Sequence, residues 1–171
     1  SLSKIISEIK NNIENKTLIF YTNGLLGSRK SQTYSNFNDF MYNLSYWSSW
    51  SNGFNIWKSE FDKIDKNLKL NKLFPHTSLF LTQHQAKLFC INDNLLFDVQ
   101  RIPKRGGHNK FEAFTIEYPS LLDECCKKGH ISTKCKKHIL FGIMVQFLPS
   151  LLFNKDIIRI ETFDDTGFRD N

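Results

Sequence analysis

Apolar residues recur at helical spacing in the first part of the chain. An opening amphipathic helix that packs on the core is predicted by five aliphatic positions, Leu2, Ile5, Ile6, Ile9 and Ile13. A second helix is predicted by Phe37, Phe40, Met41, Leu44 and Trp47. A third is predicted by Ile56, Trp57, Phe61, Ile64 and Leu68, and Pro75 ends it. Aromatic residues at this spacing indicate core-facing helices.

Strand patterns surround and follow these helices. Residues 17–22 (TLIFYT) predict a buried strand that ends at Asn23-Gly24. Beyond the third helix the pattern predicts further strands at 77–82, 87–91, 95–102, 111–118 and 157–163. Gly106-Gly107 predicts a hairpin turn between two of them, because both central positions of the favoured turn need positive φ. This register places Asp98 and Glu117 on one polar face of the hairpin.

Two helices are predicted between the hairpin and the last strand. The first begins at Ser120 and ends at Lys128, where Gly129 is suited to the left-handed position that closes a helix. The second begins at Ser132 or Thr133 and continues through the apolar segment 139–148.

The pattern as a whole predicts an α+β fold. We expect a small antiparallel sheet of about five strands, packed against the N-terminal helices and a long apolar C-terminal helix. At 171 residues and 20.1 kDa the chain fits a single globular domain, 1–171, with a loose tail from about residue 164.

The positive charge is concentrated in one segment. The formal net charge is +6, and most of the excess lies between Arg101 and His138. A cationic patch suits phosphate backbones, so this segment predicts a face that binds RNA or DNA. The residues predicted to contact phosphates are Arg101, Lys104, Arg105, Lys110, Lys127, Lys128, Lys134, Lys136 and Lys137.

A zinc site is one candidate within the basic segment. Tetrahedral zinc needs thiolates and neutral imidazoles, often two ligands from a turn and two from the next helix. Cys126, His130, Cys135 and His138 offer such a set, and Cys135 and His138 lie at i and i+3 of the predicted helix. The spacing differs from the standard zinc-finger patterns. The sequence therefore leaves the cofactor open, with zinc as one candidate.

A pair of histidines is the second candidate. His76 and His130 each open a His-x-Ser pattern, which resembles that of the two-histidine phosphoesterases. That resemblance implies metal-free phosphodiester cleavage, in which one imidazole takes a proton and the other protonates the leaving oxygen. It requires the two patterns on adjacent strands, and only the first lies in a predicted strand.

A pair of carboxylates is the third candidate. Asp98 and Glu117 on neighbouring strands offer ligands for a divalent metal that hydrolyses nucleic acid. The run Asp98-Val99-Gln100 resembles the acid-x-Gln variant of restriction-type nucleases. The same alternation is also typical of a solvated sheet face.

The leading hypothesis is a nucleic-acid-associated protein that binds phosphate backbones through its basic face. One alternative is a phosphodiester hydrolase, either a nuclease or a histidine phosphoesterase, and the sequence leaves open whether the chain is an enzyme. Another is a protein-interaction factor that uses the aromatic segment 42–57. Without a signal peptide or an apolar run of about twenty residues, we expect no membrane span and an intracellular, reducing compartment for the cysteine thiols.

Overall fold

The computed structural model describes residues 2–51, 53–98 and 109–157, which divide into two compact units. The first unit lies within residues 1–99 and the second within residues 100–171. The prediction that they form a single domain stays a prediction. The predicted turn at Gly106-Gly107, the three cations Arg101, Lys104 and Arg105, and nearly all of the predicted last strand, 157–163, lie outside the described residues.

The first unit contains a three-stranded mixed sheet. Its strands are β1 (Leu18–Tyr21), β2 (Ser31–Tyr34) and β3 (Phe89–Asn92), in the order β1-β3-β2. β1 runs parallel to β3, with Leu18 opposite Phe89, and β2 runs antiparallel to it. A mixed α+β fold is therefore confirmed, but the prediction of about five antiparallel strands is wrong for the described residues.

Helices of the first unit flank this sheet. They are α1 (Leu2–Asn12), α2 (Phe37–Leu44), α3 (Lys58–Phe61) and α4 (Pro75–Leu81), with 3-10 turns at Ser45–Ser49 and Thr82–Gln85. The Asn36 side chain caps α2 by accepting a hydrogen bond from Asp39 N. Of the third predicted helix, from Ile56 to Leu68, only the single turn of α3 is formed.

A cluster of phenylalanine rings forms the core of the first unit. The Phe80 ring lies at its centre, with centroids 5.5 Å from Phe20, 6.0 Å from both Phe37 and Phe40, and 5.8 Å from Phe54. Edge and tilted contacts of this kind add to the burial of apolar area. The aromatic stripe of α2 is therefore core, as its spacing predicts.

Residues 77–82 correct one prediction, because most of this segment is helical rather than a strand. Asn71 Oδ1 accepts hydrogen bonds from Leu73 N and Phe74 N just before α4 begins. Pro75 then takes the first helical turn, where its missing N–H costs nothing. The predicted strand at 95–102 is also wrong for residues 95–98, which have no strand structure.

α1 forms where predicted but does not bury its aliphatic stripe. None of its residues is buried, and Leu2, Ile6 and Ile9 are exposed. The polar side of α1 contacts β3 instead, since Asn92 Nδ2 donates to the Glu8 carboxylate at 2.6 Å. The prediction that the stripe packs on the core is wrong.

The described part of the second unit, residues 109–157, consists of two long helices. The first long helix, residues 110–127, comprises α5 (Lys110–Glu112), a π-helical turn (Ala113–Glu117) and α6 (Tyr118–Lys127). The second long helix, Thr133–Asp156, comprises α7 (Thr133–Gly142), a π-helical turn (Ile143–Phe147) and α8 (Leu148–Asp156). The two pack together, with Phe114 and Phe147 ring centroids 4.3 Å apart.

The helical state of residues 111–118 corrects the predicted β-hairpin. Asn109 Oδ1 accepts hydrogen bonds from Phe111 N and Glu112 N and so caps a helix at this point. The buried positions have helical spacing, namely Phe111, Phe114, Tyr118, Leu122 and Cys125.

Each long helix contains an internal proline directly after a π-helical turn. Tyr118 N bonds Ala113 O just before Pro119, and Leu148 N bonds Ile143 O just before Pro149. A proline ring clashes with the carbonyl four residues earlier in a regular helix, and the wider turn offers it space. The prolines therefore do not end these helices.

The second long helix is apolar but poorly covered. By length and composition alone it could cross a membrane, with a mean hydropathy of 1.2 over its most apolar 18 residues, of which 28% are buried. A core helix of a soluble protein satisfies the same criterion. No clear membrane span is thus found among residues 2–51, 53–98 and 109–157.

Candidate nucleic-acid interface

Five lysines gather at the turn that joins the two long helices. We call this region the basic tip and define it by Lys127, Lys128, Lys134, Lys136 and Lys137. The first two end α6, and the other three lie in the first two turns of α7. For these five lysines, the cluster of positive charge predicted from the sequence is thus also a cluster in the structure.

The turn has a defined backbone geometry. His130 N bonds Cys125 O at 2.9 Å and Gly129 N bonds Cys126 O at 3.0 Å, the two hydrogen bonds of a Schellman motif. Gly129 has a φ of 75°, a conformation that favours glycine. Ser132 Oγ then accepts a hydrogen bond from Cys135 N at 3.1 Å and caps α7. Both helix boundaries agree with the sequence prediction.

Two carboxylates neutralise part of the basic tip. Lys136 Nζ lies 2.7 Å from Asp123 Oδ1, and this hydrogen bond raises the pKa of Lys136. Lys128 Nζ lies 3.6 Å from Glu124 Oε2. Lys127, Lys134 and Lys137 are exposed and form no ion pair within the described part of the chain. The basic tip therefore has a surplus of three positive charges.

Lys110 lies apart from the basic tip. It starts the first long helix, whereas Lys127 ends it, so at 1.5 Å per residue the two are separated by about 25 Å. The structure brings together five of the nine cations predicted to contact phosphates and leaves Lys110 at the other end of that helix.

The four predicted zinc ligands do not assemble into a metal site. Cys135 is fully buried in the packing of the second unit, whereas Cys126 is half-buried and places Sγ 3.6 Å from Thr133 Oγ1. His130 and His138 are also only half-buried. Within the three described segments no group of three or more His, Cys, Asp or Glu side chains could hold a metal ion. The proposed tetrahedral arrangement is therefore not formed.

His76 and Ser78 have structural roles in α4. His76 Nε2 donates to Ser49 O at 2.7 Å, and Ser78 Oγ accepts from Asn71 N and donates to Phe74 O. Both belong to a helix of the first unit, whereas His130 belongs to the turn of the second. The predicted arrangement on adjacent strands is wrong.

Asp98 and Glu117 do not face each other across a hairpin. Asp98 has no strand structure and ends a described segment of the first unit, and Glu117 lies in the π-helical turn of the second. A cross-strand metal site cannot form when one of its strands is a helix. The predicted cross-strand pairing is therefore wrong.

The aromatic segment 42–57 is partly exposed, as the protein-interaction alternative requires. Trp50 is 39% exposed, and its ring packs edge-on against Trp47 at 4.8 Å. Tyr46 and Trp57 are half-buried, and Trp57 Nε1 donates to Thr17 O. These contacts support the packing of the first unit and leave one tryptophan edge accessible.

A cavity in the first unit provides a contrast with the basic tip. Its volume is about 670 Å³, and its floor includes Trp57. Hydrogen bonds from Lys63 and Lys16 lower the pKa of Glu60 to about 2. The charged groups around it balance, with Lys16, Lys63 and Lys87 against Glu14, Glu60 and Asp65. This cavity has no excess charge with which to attract a polyanion.

Sequence reasoning missed Asp93, the most highly connected polar side chain of the first unit. It is fully buried after β3 and accepts hydrogen bonds from Thr22 Oγ1, Leu26 N, Ser28 N and Oγ, and Arg29 N. Burial raises the pKa of Asp93, but these hydrogen bonds outweigh burial and hold the pKa below its ordinary value. The carboxylate thus fills the backbone nest of the loop between β1 and β2, and its role there is structural.

Comparison with protein-family models, with curated proteins and with solved structures finds no match to this chain.

Proposed function

We propose that this chain is a nucleic-acid-associated protein that binds phosphate backbones through the basic tip. One observation carries the proposal: Lys127, Lys134 and Lys137 are exposed at one turn without carboxylate partners in the described residues. Exposed lysines gain binding energy by releasing counterions from phosphates, and they need no sequence-specific contact to do so.

The position of the lysines on α7 supports the same proposal. A helix N-terminus carries partial positive charge, so acids there stabilise a helix and lysines destabilise it. α7 has no acid in its first turn and has Lys134, Lys136 and Lys137 in its first two turns. A bound phosphate would relieve this repulsion and would accept hydrogen bonds from the free backbone N–H groups.

The hydrolase alternative lacks this kind of support. Neither the histidine pair nor the carboxylate pair forms the strand arrangement on which it depended. We therefore propose binding rather than cleavage.

The test is the salt dependence of binding to labelled DNA and RNA. A variant with Lys127, Lys134 and Lys137 changed to alanine should bind more weakly, and the slope of log affinity against log salt should fall by about 3. The matched control changes three exposed lysines of the first unit, Lys10, Lys66 and Lys69, and so alters the net charge equally. Affinity independent of salt, or an equal effect of the two triple variants, would refute the proposal.

A further inference from the structure

The second long helix and Ile157, the residue directly after it, bear a row of exposed apolar side chains, which we call the apolar stripe. Its members are Phe141, Met144, Val145, Phe153 and Ile157. They lie on the side of the helix opposite the buried positions Ile139, Ile143 and Leu151. We propose that this stripe binds the interfacial layer of an anionic lipid bilayer, an interaction that goes beyond the proposed binding of nucleic acid.

The degree of exposure is the first argument. Phe141 is 63% exposed, although it lies in the most apolar stretch of the described chain. Only 28% of that stretch is buried, so most of an apolar helix lies in contact with water. A contiguous exposed apolar surface of this kind is typical of protein or membrane contact sites.

The charges on the helix favour a bilayer as the occupant. The second long helix contains a single acid, its last residue Asp156, and its other ionisable groups are four lysines, Cys135 and His138. Lys134 and Lys137 precede Phe141 by seven and four residues, so they continue the same helix face. Lysines at one end and apolar side chains beyond them match an anionic headgroup layer above acyl chains.

This helix would lie on the bilayer rather than cross it. Its other face is occupied by protein, since the ring of Phe147 packs at a tilt against Phe114 of the first long helix, with ring centroids 4.3 Å apart. The first long helix also carries Glu112, Glu117, Asp123 and Glu124 and is unsuited to hydrocarbon. Attachment through one face explains why a single helix combines buried and exposed apolar positions.

Each component alone is weak, and their combination gives stable attachment. A lysine near an anionic surface increases affinity roughly fivefold, and the apolar stripe adds the energy of burying its side chains. Neutral bilayers should therefore bind much less of the protein than anionic ones do.

The experiment is co-sedimentation of the full chain with vesicles of phosphatidylcholine alone or mixed with phosphatidylglycerol. We expect binding to the mixed vesicles, and the double variant Phe141→Gln with Met144→Gln should reduce the partition coefficient about tenfold. The control Phe61→Gln changes another exposed phenylalanine, 49% exposed in the first unit, and should bind like the unchanged chain. Circular dichroism checks that both variants keep their helices.

Absence of vesicle binding by the unchanged chain would overturn the inference, as would equal binding by the double variant. Sedimentation velocity provides a further outcome. A dimer that the double variant abolishes, without any vesicle binding, would assign the stripe to a second copy of the chain instead. The double variant should still bind nucleic acid, because the lysines of the basic tip are unchanged. The two proposals can therefore fail separately.

Discussion

The two units differ in how completely they cover their own side chains. In the first, four phenylalanine rings pack around Phe80, and the buried carboxylate of Asp93 receives hydrogen bonds from the loop around it. In the second, two helices cover one face of each other and leave both a basic tip and an apolar stripe exposed. This contrast suggests that the first unit provides stability and that the second provides the surfaces for partners. α1, with its exposed isoleucines, is the exception within the first unit.

The largest expected effect is on the phenylalanine core. Phe80→Ala should lower the free energy of unfolding by about 3–5 kcal/mol, because it leaves a cavity among fully buried rings. Phe141→Ala, at an exposed position, should cost less than about 1 kcal/mol. Urea denaturation measures both values, and similar losses would remove the proposed contrast between the units.

The next effect concerns Asp93. Asp93→Ala should cost about 3 kcal/mol, because it leaves the buried Thr22 hydroxyl and several part-buried donors of the β1–β2 loop without their acceptor. Asp62→Ala is the control, since Asp62 is exposed and, among the described residues, forms an ion pair with Lys58 alone. Its cost should stay within about 0.5 kcal/mol. A small effect at Asp93 would mean that the loop is held by other contacts.

Asp93 also predicts a pH dependence. Its pKa is lower in the folded chain than in the unfolded chain, so its stabilisation is present above the ordinary aspartate pKa of about 3.9. That stabilisation is lost as the pH falls through the folded-state pKa. Unfolding experiments from neutral pH down to acid should show a steeper loss for the unchanged chain than for Asp93→Asn.

Thiol reactivity gives a third comparison. Burial raises the pKa of Cys90 and of Cys125 to about 11, which lowers their thiolate fraction about a hundredfold relative to an ordinary cysteine. Cys135 is fully buried, and Cys126 alone of the four is half-buried. Alkylation of the folded chain followed by mass spectrometry should modify Cys126 first. Equal rates at all four thiols would indicate that both units open readily, since Cys90 belongs to the first unit and the other three belong to the second.

The smallest expected effect is on stability at the basic tip, where one substitution should raise the stability of the chain and weaken its binding to nucleic acid. Lys134→Glu replaces an unfavourable cation near the N-terminus of α7 with an acid, and should raise the free energy of unfolding by about 0.5 kcal/mol. The same change should weaken nucleic-acid binding more than Lys66→Glu does. If the Lys134→Glu variant is more stable but binds nucleic acid normally, Lys134 takes no part in the proposed binding.

Local sequence signals predicted the elements that depend on them. Gly129 and Ser132 marked the turn between the long helices, and the aromatic spacing of residues 37–44 marked α2. The alternation in residues 111–118, beside the turn signal of Gly106-Gly107, favoured a hairpin. The helical spacing shows only when the buried positions are followed beyond this segment to Cys125.

For the candidate sites, too, the success of the prediction depended on whether the site needs only local sequence signals. The basic tip depends on residues close in sequence and could be predicted from charge alone. The histidine and carboxylate sites needed tertiary pairing, which the sequence does not encode locally. The zinc candidates are as close in sequence as the basic tip, but Cys135 is buried in the packing of the second unit. Asp93 bonds Thr22 across 71 positions, and no short-range pattern marks such a contact.

Lysine acetylation footprinting tests the central claim most directly. The chain is acetylated with and without DNA, and the modified positions are identified by mass spectrometry. Binding through the basic tip predicts protection of Lys127, Lys134 and Lys137 with no change at Lys10, Lys66 and Lys69. Protection of the second group instead, or equal modification of both groups with DNA present, would contradict it.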